Sequence, residues 1–229
     1  MEVTINLFGN FKQMIQKYLK ERKFSLDKVS VTIKEKCYET YVTLNSASED
    51  SSDFEFLKDS IMQDFKKNVY GTNERNIYTS AFRILKEQHK TLALAESATA
   101  GRLSSEFVSN NEGASGVLVE GIVCYSIFSK CSRFGIDSNF FETNSPQSAE
   151  CSKLLACSLA KQDNTDVTIA VTGYASSISE DKENGDAYIA IALRTGVYTQ
   201  RVHFSGTRNH IIQQFSKCAF MFMIKILNQ

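Results

Sequence analysis

The chain has 229 residues, of which 42% are hydrophobic and 23% are charged, proportions typical of an ordinary globular protein. Its 26 basic side chains equal its 26 acidic ones, so the basic excess of a polyanion-binding protein is absent and we expect no nucleic-acid partner. The longest apolar run, from Cys218 to Ile224, is far shorter than the roughly 20 residues that cross a bilayer, and no signal peptide is evident. We therefore expect no membrane partner and a cytoplasmic protein.

In the first 71 residues the hydrophobic pattern predicts a small domain with the element order β-α-β-β-α. Alternation predicts strands over 2–8, 29–33 and 40–44, and helical spacing predicts helices over 11–19 and 54–65. Tyr70-Gly71-Thr72-Asn73 is typical of a turn, and we place the domain boundary there, between residues 71 and 72.

Residues 72–229 predict a second domain in which strands and helices alternate before a final hairpin and helix. Strands are expected over 91–96, 117–125, 167–172, 187–194 and 197–204; helices over 73–88, 99–110, 126–134, 146–162 and 208–227. This order predicts an α/β fold, a three-layer α/β/α sandwich with a mixed sheet.

The six cysteines predict reduced core thiols and not a disulfide framework, because none forms a Cys-x-x-Cys pair and most lie in apolar runs. The chain has only three histidines, and neither they nor the cysteines show the spacing of metal ligands. We expect no metal site.

Three loops follow strands of the second domain, over 96–101, 124–130 and 172–185, and ligands of open α/β sheets bind beyond such strand ends. In the first loop, Ser97 and Thr99 lie where a strand meets a helix N-terminus, whose free N–H groups and dipole favour anions. In the second, a helix capped by Ser126 would carry Lys130 on the same face.

These residues predict amide hydrolysis by a Ser–Lys pair, because a serine nucleophile needs a base and no histidine is positioned in the three loops. Ser97 would attack the carbonyl carbon, and Lys130 would accept the hydroxyl proton. Lys130 or Tyr125 would then protonate the leaving amine, while N–H groups around Thr99 to Gly101 hold the oxyanion.

A purely structural interpretation of the same residues stays open at this point. Ser97 and Thr99 also fit ordinary helix caps, and Lys130 fits a solvated lysine on a short helix. Tyr125 fits a core side chain at a strand end, and the segment over 173–185 fits a surface loop.

The motifs, taken together, resemble a known family. Their order along the chain is Glu96-Ser97-x-Thr99-x-Gly101, Tyr125-Ser126-x-x-x-Lys130, Val171-Thr172-Gly173, Gly185-x-Ala187-Tyr188-Ile189-Ala190 and Phe204-Ser205-Gly206-x-Arg208. The set is similar to the C-terminal domain of the competence/damage-inducible CinA family over about residues 72–229. That family includes nicotinamide-nucleotide amidohydrolases, which convert nicotinamide mononucleotide to the nicotinate form and release ammonia.

The resemblance implies specific roles for these positions. Ser97 matches the nucleophile and Lys130 the base, with Tyr125 nearby. The implied substrate-binding residues are Thr99, Gly101, Thr172, Gly173 and Arg208, of which Arg208 suits a phosphate because a guanidinium binds phosphate through two hydrogen bonds. The resemblance implies a small-molecule nucleotide as substrate, no cofactor, and a homo-oligomer.

Residues 1–71 resemble the KH-like region of longer CinA proteins, with Leu7-Phe8-Gly9 and Val69-Tyr70-Gly71 at the matching places. No Gly-x-x-Gly loop accompanies this pattern, which again predicts no RNA partner. The sequence shows no counterpart of the family's molybdopterin-binding-like domain, and we expect none of that domain's activity.

The chain departs from the family pattern at three places. Ala98 and Ala100 stand where the family usually has Cys and Gly, and the residues that follow Gly173 are Tyr-Ala-Ser-Ser-Ile-Ser-Glu-Asp in place of a glycine-rich loop. These departures keep an alternative function open, that of a catalytically weak or inactive family member that binds nucleotides or serves in assembly.

Overall fold

The computed structural model of the chain describes residues 1–22, 24, 28–48, 52–175 and 184–229. The strands are β1 (Glu2–Phe8), β2 (Val29–Lys36), β3 (Glu39–Ser46), β4 (Val69–Thr72), β5 (Leu92–Glu96), β6 (Leu118–Val123), β7 (Val167–Gly173), β8 (Asp186–Leu193) and β9 (Gly196–His203). The helices are α1 (Lys12–Glu21), α2 (Ser52–Asp64), α3 (Ile77–Glu87), α4 (Arg102–Asn110), α5 (Ile127–Phe134), α6 (Phe140–Thr143), α7 (Ala149–Asp163) and α8 (Arg208–Leu227). Among the described residues, no helix combines the length and the apolar character needed to cross a membrane.

Two compact units make up the fold, Met1–Ser80 and Ala81–Gln229. The division falls inside α3, whereas the boundary predicted from the sequence lies before Thr72, the last residue of β4. The two positions bracket the segment that leads into α3.

The first unit contains an antiparallel sheet in the strand order β2-β3-β1-β4, with α1 and α2. Ile5 of β1 lies opposite Val42 of β3, and both are fully buried. The predicted order β-α-β-β-α was wrong in one respect, because Val69–Thr72 is a fourth strand on the free edge of β1 and not a turn. Four residues that include Gly71 are too short to show an alternating pattern.

The second unit contains a mixed sheet in the order β6-β5-β7-β8-β9. β6, β5 and β7 are parallel, and β8 and β9 continue the sheet antiparallel. α7 packs on one face of the sheet, and α4 and α8 pack on the other. This arrangement confirms the predicted three-layer α/β/α sandwich with a mixed sheet.

The two faces of this sheet carry side chains of different size. Alternate positions turned toward α7 are alanines, and the intervening buried positions are branched. The alanines are Ala93, Ala95, Ala170, Ala190 and Ala192; the branched residues include Leu92, Leu94, Ile169, Val171, Ile189 and Ile191. Small side chains on one face allow α7 to lie close to the strands.

Two helices begin later than predicted. α4 begins at Arg102 and not at residue 99, because Ala100 (φ 50°) and Gly101 (φ 91°) adopt left-handed conformations that a helix cannot include. α7 begins after Ser148, whose hydroxyl accepts the Cys151 N–H, so Pro146 precedes the helix.

Candidate active site

Ser97 and Lys130 are in direct contact in the second unit. Ser97 follows the last residue of β5, and its N–H donates to the Val171 carbonyl oxygen of β7 at 3.0 Å. Ser126 caps α5 by accepting the Ser129 N–H, which places Lys130 one turn into the helix. From there the Lys130 Nζ donates to the Ser97 Oγ at 3.0 Å and to the Cys124 carbonyl oxygen at 2.8 Å.

Both partners are withdrawn from solvent, since Ser97 is 6% and Lys130 1% exposed. The interpretation of Lys130 as a solvated surface lysine is therefore wrong. Burial raises the pKa of the neighbouring Cys124 thiol to about 11 and that of Cys151 to about 12. Both thiols therefore stay protonated at neutral pH.

An open cleft lies above this pair. Ser97, Tyr125, Gly173 and Arg208 line it together with Gln147 and Tyr174. Arg208 is the first residue of α8 and donates from Nη2 to the Tyr125 hydroxyl at 3.0 Å and from Nη1 to the Ala175 carbonyl oxygen at 2.7 Å. Tyr125 is 61% exposed, so it faces the cleft and does not belong to the core.

Three of the predicted substrate-binding residues, Thr99, Gly101 and Thr172, do not line this cleft. Thr99 and Gly101 line a neighbouring pocket with Arg102 and Ser105. The Thr99 Oγ1 is buried and has no hydrogen-bond partner among the described residues. Thr172 is fully buried and donates its hydroxyl to the Ser148 carbonyl oxygen at 3.1 Å.

Gly173 allows β7 and β8 to lie close together, because it has no side chain. A Cβ at this position would overlap the Asp186 carbonyl oxygen of β8. The loop that follows is tied at its base, because the Tyr174 N–H donates to the Asp186 carbonyl oxygen and the Gly185 N–H donates to the Tyr174 carbonyl oxygen, both at 2.8 Å. Of the departures noted in this loop, those at residues 176–181 lie outside the described residues.

The N-terminus of α4 is capped by Glu96, a residue that the sequence reasoning did not single out for any role. Its carboxylate accepts the N–H groups of Leu103 and Ser104, and the Thr99 and Gly101 carbonyl oxygens take the other two N–H groups of the first turn. The helix end is therefore already satisfied. The alternative in which Ser97 and Thr99 cap this helix is wrong, and so is the expectation of free N–H groups for an anion at this helix end.

Among the described residues, no group of three or more His, Cys, Asp or Glu side chains is arranged to hold a metal ion.

Comparison with known proteins gives a consistent result. A family model described as the CinA C-terminal domain matches residues 74–227. A CinA-like protein of Thermotoga neapolitana is 30% identical over 213 residues, which are 92% of this chain and 52% of that protein. A CinA-like protein of Thermotoga sp. (strain RQ2) is 34% identical over 147 residues, 63% of this chain and 36% of that protein. The chain thus spans about half, or less, of the length of these curated relatives.

Solved structures agree on the fold. A competence-damaged protein (CinA) superfamily protein from Klebsiella pneumoniae superposes with a TM-score of 0.63 at 23% identity, over 66% of this chain and 96% of that one. A competence/damage-inducible protein from Agrobacterium tumefaciens gives a TM-score of 0.61 at 24% identity, over 67% and 96%.

Proposed function

The chain belongs to the CinA family through its C-terminal domain, and on that premise we propose that it hydrolyses the carboxamide of nicotinamide mononucleotide to nicotinate mononucleotide and ammonia. The observation that carries the proposal is the buried 3.0 Å hydrogen bond between the Lys130 Nζ and the Ser97 Oγ. This is the separation at which a base takes a proton from a nucleophile.

In the first half of the proposed reaction, the Lys130 amine accepts the Ser97 hydroxyl proton while the Ser97 Oγ attacks the carboxamide carbon. The tetrahedral oxyanion forms in the cleft, beside the Ser97 Oγ. The C–N bond then breaks, and Lys130 returns the proton to the departing nitrogen, which leaves as ammonia.

In the second half, water takes the place of ammonia. Lys130 accepts a proton from the water, whose oxygen attacks the acyl carbon of the Ser97 ester. The C–O bond to Ser97 breaks, the Ser97 Oγ regains a proton from Lys130, and the nicotinate product leaves. One base therefore serves both halves.

Arg208 is the proposed partner of the substrate phosphate. Its guanidinium lies in the same cleft as Ser97 and is held at 3.0 Å from the Tyr125 hydroxyl. A bidentate pair with a phosphate is the geometry that a guanidinium favours. The Tyr125 hydroxyl would then orient the arginine, or hand a proton to the leaving amine.

A second candidate function is that of a nucleotide-binding protein without catalysis. It is favoured by the departure at Ala100, an alanine held at φ 50° in the 97–101 loop where the family usually has a glycine. In this case the cleft would hold a nucleotide with no release of ammonia.

The test is ammonia release from nicotinamide mononucleotide by the purified protein across pH 6–9. We expect Ser97→Ala and Lys130→Met each to lower kcat by ~10³-fold or more, since members of a catalytic unit fail together. Lys153→Met, which removes an exposed lysine of α7, should retain wild-type activity. Absence of ammonia from the wild type would reject this reaction, and thermal stabilisation by the nucleotide that survives both substitutions would support the second candidate.

A further inference from the structure

Glu96 occupies an unusual position for a carboxylate, because it is the last residue of β5 and is completely buried. Buried carboxylates are retained where hydrogen-bond donors surround them. Oε2 accepts the Leu103 N–H at 2.9 Å, and Oε1 accepts both the Ser104 N–H at 2.8 Å and the Ser104 hydroxyl at 2.6 Å. Three donors and the positive end of the α4 dipole thus stabilise its charge.

The backbone of Glu96 reaches the other half of the site. Its carbonyl oxygen accepts the Cys124 N–H at 2.8 Å, and the Cys124 carbonyl oxygen accepts the Lys130 Nζ, also at 2.8 Å. Glu96 therefore holds the N-terminus of α4 through its side chain. Through its main chain it holds Cys124, whose carbonyl oxygen accepts the Lys130 Nζ. Ser97 is the next residue along the chain.

The neighbouring strand is shaped to admit this arrangement. Gly121 of β6 pairs with Leu94 of β5, and a Cβ at Gly121 would overlap the Ser104 hydroxyl that donates to Glu96. A larger residue there would displace Ser104 from the carboxylate. Glu96, Ser104 and Gly121 form a small network that no part of the proposed chemistry uses directly.

From these contacts we infer that Glu96 is a positioning residue, which fixes the 97–101 loop between β5 and α4 so that the Ser97 Oγ stays against the Lys130 Nζ. Because it caps the helix from the strand side, neither Ser97 nor Thr99 is needed as a cap. The Ser97 hydroxyl is left for Lys130, and the Thr99 hydroxyl is left without a partner among the described residues. The inference rests on the proposed function for its catalytic consequence, and on the hydrogen bonds alone for its structural one.

Glu96→Gln is the sharpest variant, because it keeps the shape but turns one acceptor into a donor that faces an N–H group. We expect amide exchange at residues 103–104 to become at least about 10-fold faster, as the loss of a charge-assisted hydrogen bond implies. Acylation of Lys130 by acetic anhydride should rise about threefold relative to Lys153. With nicotinamide mononucleotide, kcat should fall about 10-fold or more with KM changed by less than about threefold, since the loop is displaced but Arg208 is not.

Ser104→Ala and Glu106→Gln complete the experiment. Ser104→Ala removes one donor and leaves the carboxylate, so it should fold even if Glu96→Gln does not. We expect it to change amide exchange at residues 103–104, Lys130 acylation and kcat in the same directions but by less. Glu106→Gln alters a carboxylate of the same helix that pairs with Arg102 at 3.6 Å and should leave all three at wild-type values.

The outcomes separate this inference from the proposed function. If the wild type releases no ammonia, the proposed reaction is rejected, while faster exchange and increased Lys130 acylation would still support the positioning role. If exchange at residues 103–104 and Lys130 acylation stay at wild-type values in both Glu96→Gln and Ser104→Ala, the inference is overturned. An active wild type with an unchanged kcat in Glu96→Gln would overturn it equally.

Discussion

Ala100 is a residue under local backbone strain beside the proposed nucleophile. Its φ of 50° is left-handed, a conformation that costs an alanine about 1 kcal/mol more than a glycine. A glycine, which the family usually has at this position, adopts this conformation without that cost.

We therefore expect Ala100→Gly to stabilise the protein by roughly 0.5–1 kcal/mol, the relief of strain being partly offset by the greater freedom of glycine in the unfolded chain. Equilibrium denaturant unfolding measures the change. Asn164→Gly is the matched control, because asparagine at φ 50° tolerates the left-handed region and should gain less. A destabilised Ala100→Gly variant would contradict this account of the loop.

Thiol reactivity provides another test at this scale. Burial raises the pKa of Cys124 to about 11 and the pKa values of Cys151 and Cys218 to about 12, so these thiols are protonated and inaccessible at pH 7.5. Cys37 is exposed. We expect iodoacetamide to alkylate Cys37 in the native protein at least ~10-fold faster than these three, as followed by peptide mass spectrometry. Equal rates in native and urea-unfolded protein would be inconsistent with the described burial.

Some of the site could be predicted from the sequence, and the rest could not for a physical reason. Ser97 and Lys130 follow parallel strands that lie side by side, so their proximity follows from the strand order and from the Ser126 cap. The role of Glu96 did not follow, because its side chain acts on residues seven and eight positions later, across a loop whose left-handed turn has no apolar pattern. Thr172 belongs to a site motif, but its burial depends on the packing of α7.

The start of β5 is joined to the start of β7 by one side chain. Asp166 accepts the Thr91 N–H at 3.0 Å and the Thr91 hydroxyl at 2.9 Å. The Thr91 N–H is the main cause that lowers the pKa of Asp166, and the Arg194 charge lowers it further. This contact fixes the register of two neighbouring parallel strands at the end opposite the cleft.

We expect Asp166→Asn to destabilise the protein by about 1 kcal/mol at pH 7, a value kept small because the carboxylate is only partly buried. A carboxylate whose pKa is lower in the folded state contributes its stability above its unfolded pKa of about 3.9. That contribution disappears as the pH falls through the folded value. Urea midpoints should therefore differ between wild type and variant at pH 5–7 and converge as the pH falls below the unfolded pKa of about 3.9; a constant difference would contradict the assignment.

At the scale of elements, long periodic segments were predicted well and short or irregular ones were not. The mixed sheet follows from alternating strands and helices that end in a hairpin. β4 was missed because it is short and owes its strand conformation to pairing with β1. The start of α4 was placed too early because Ser97 and Thr99 are good cap residues, yet a distant carboxylate caps the helix.

At the scale of the whole molecule, we propose that residues 72–229 fold without the first unit, as the family match over 74–227 and the separate core of the second unit suggest. A domain of this size buries roughly 68–70% of its unfolded surface, which is ample for stability. A chain of residues 72–229 should show cooperative thermal unfolding and retain the proposed activity. A chain of residues 81–229 should unfold at a lower temperature, because it cuts α3 between Ser80 and Ala81.

If the two fragments unfold at the same temperature, the boundary of the second folding unit lies after Ser80 and not before Thr72. Loss of a cooperative transition in both would mean that the second unit depends on the first. The expected homo-oligomer stays a prediction, which sedimentation of the intact chain would decide.

The tied base of the loop between β7 and β8 has a consequence for how this protein diversifies. Main-chain hydrogen bonds of Tyr174, Gly185 and Asp186 close the base of the loop. Substitutions, insertions and changes of charge between Tyr174 and Gly185 therefore leave these main-chain hydrogen bonds in place. Under the proposed function, substitutions in this loop can therefore change the substrate preference while the contact between Ser97 and Lys130 persists.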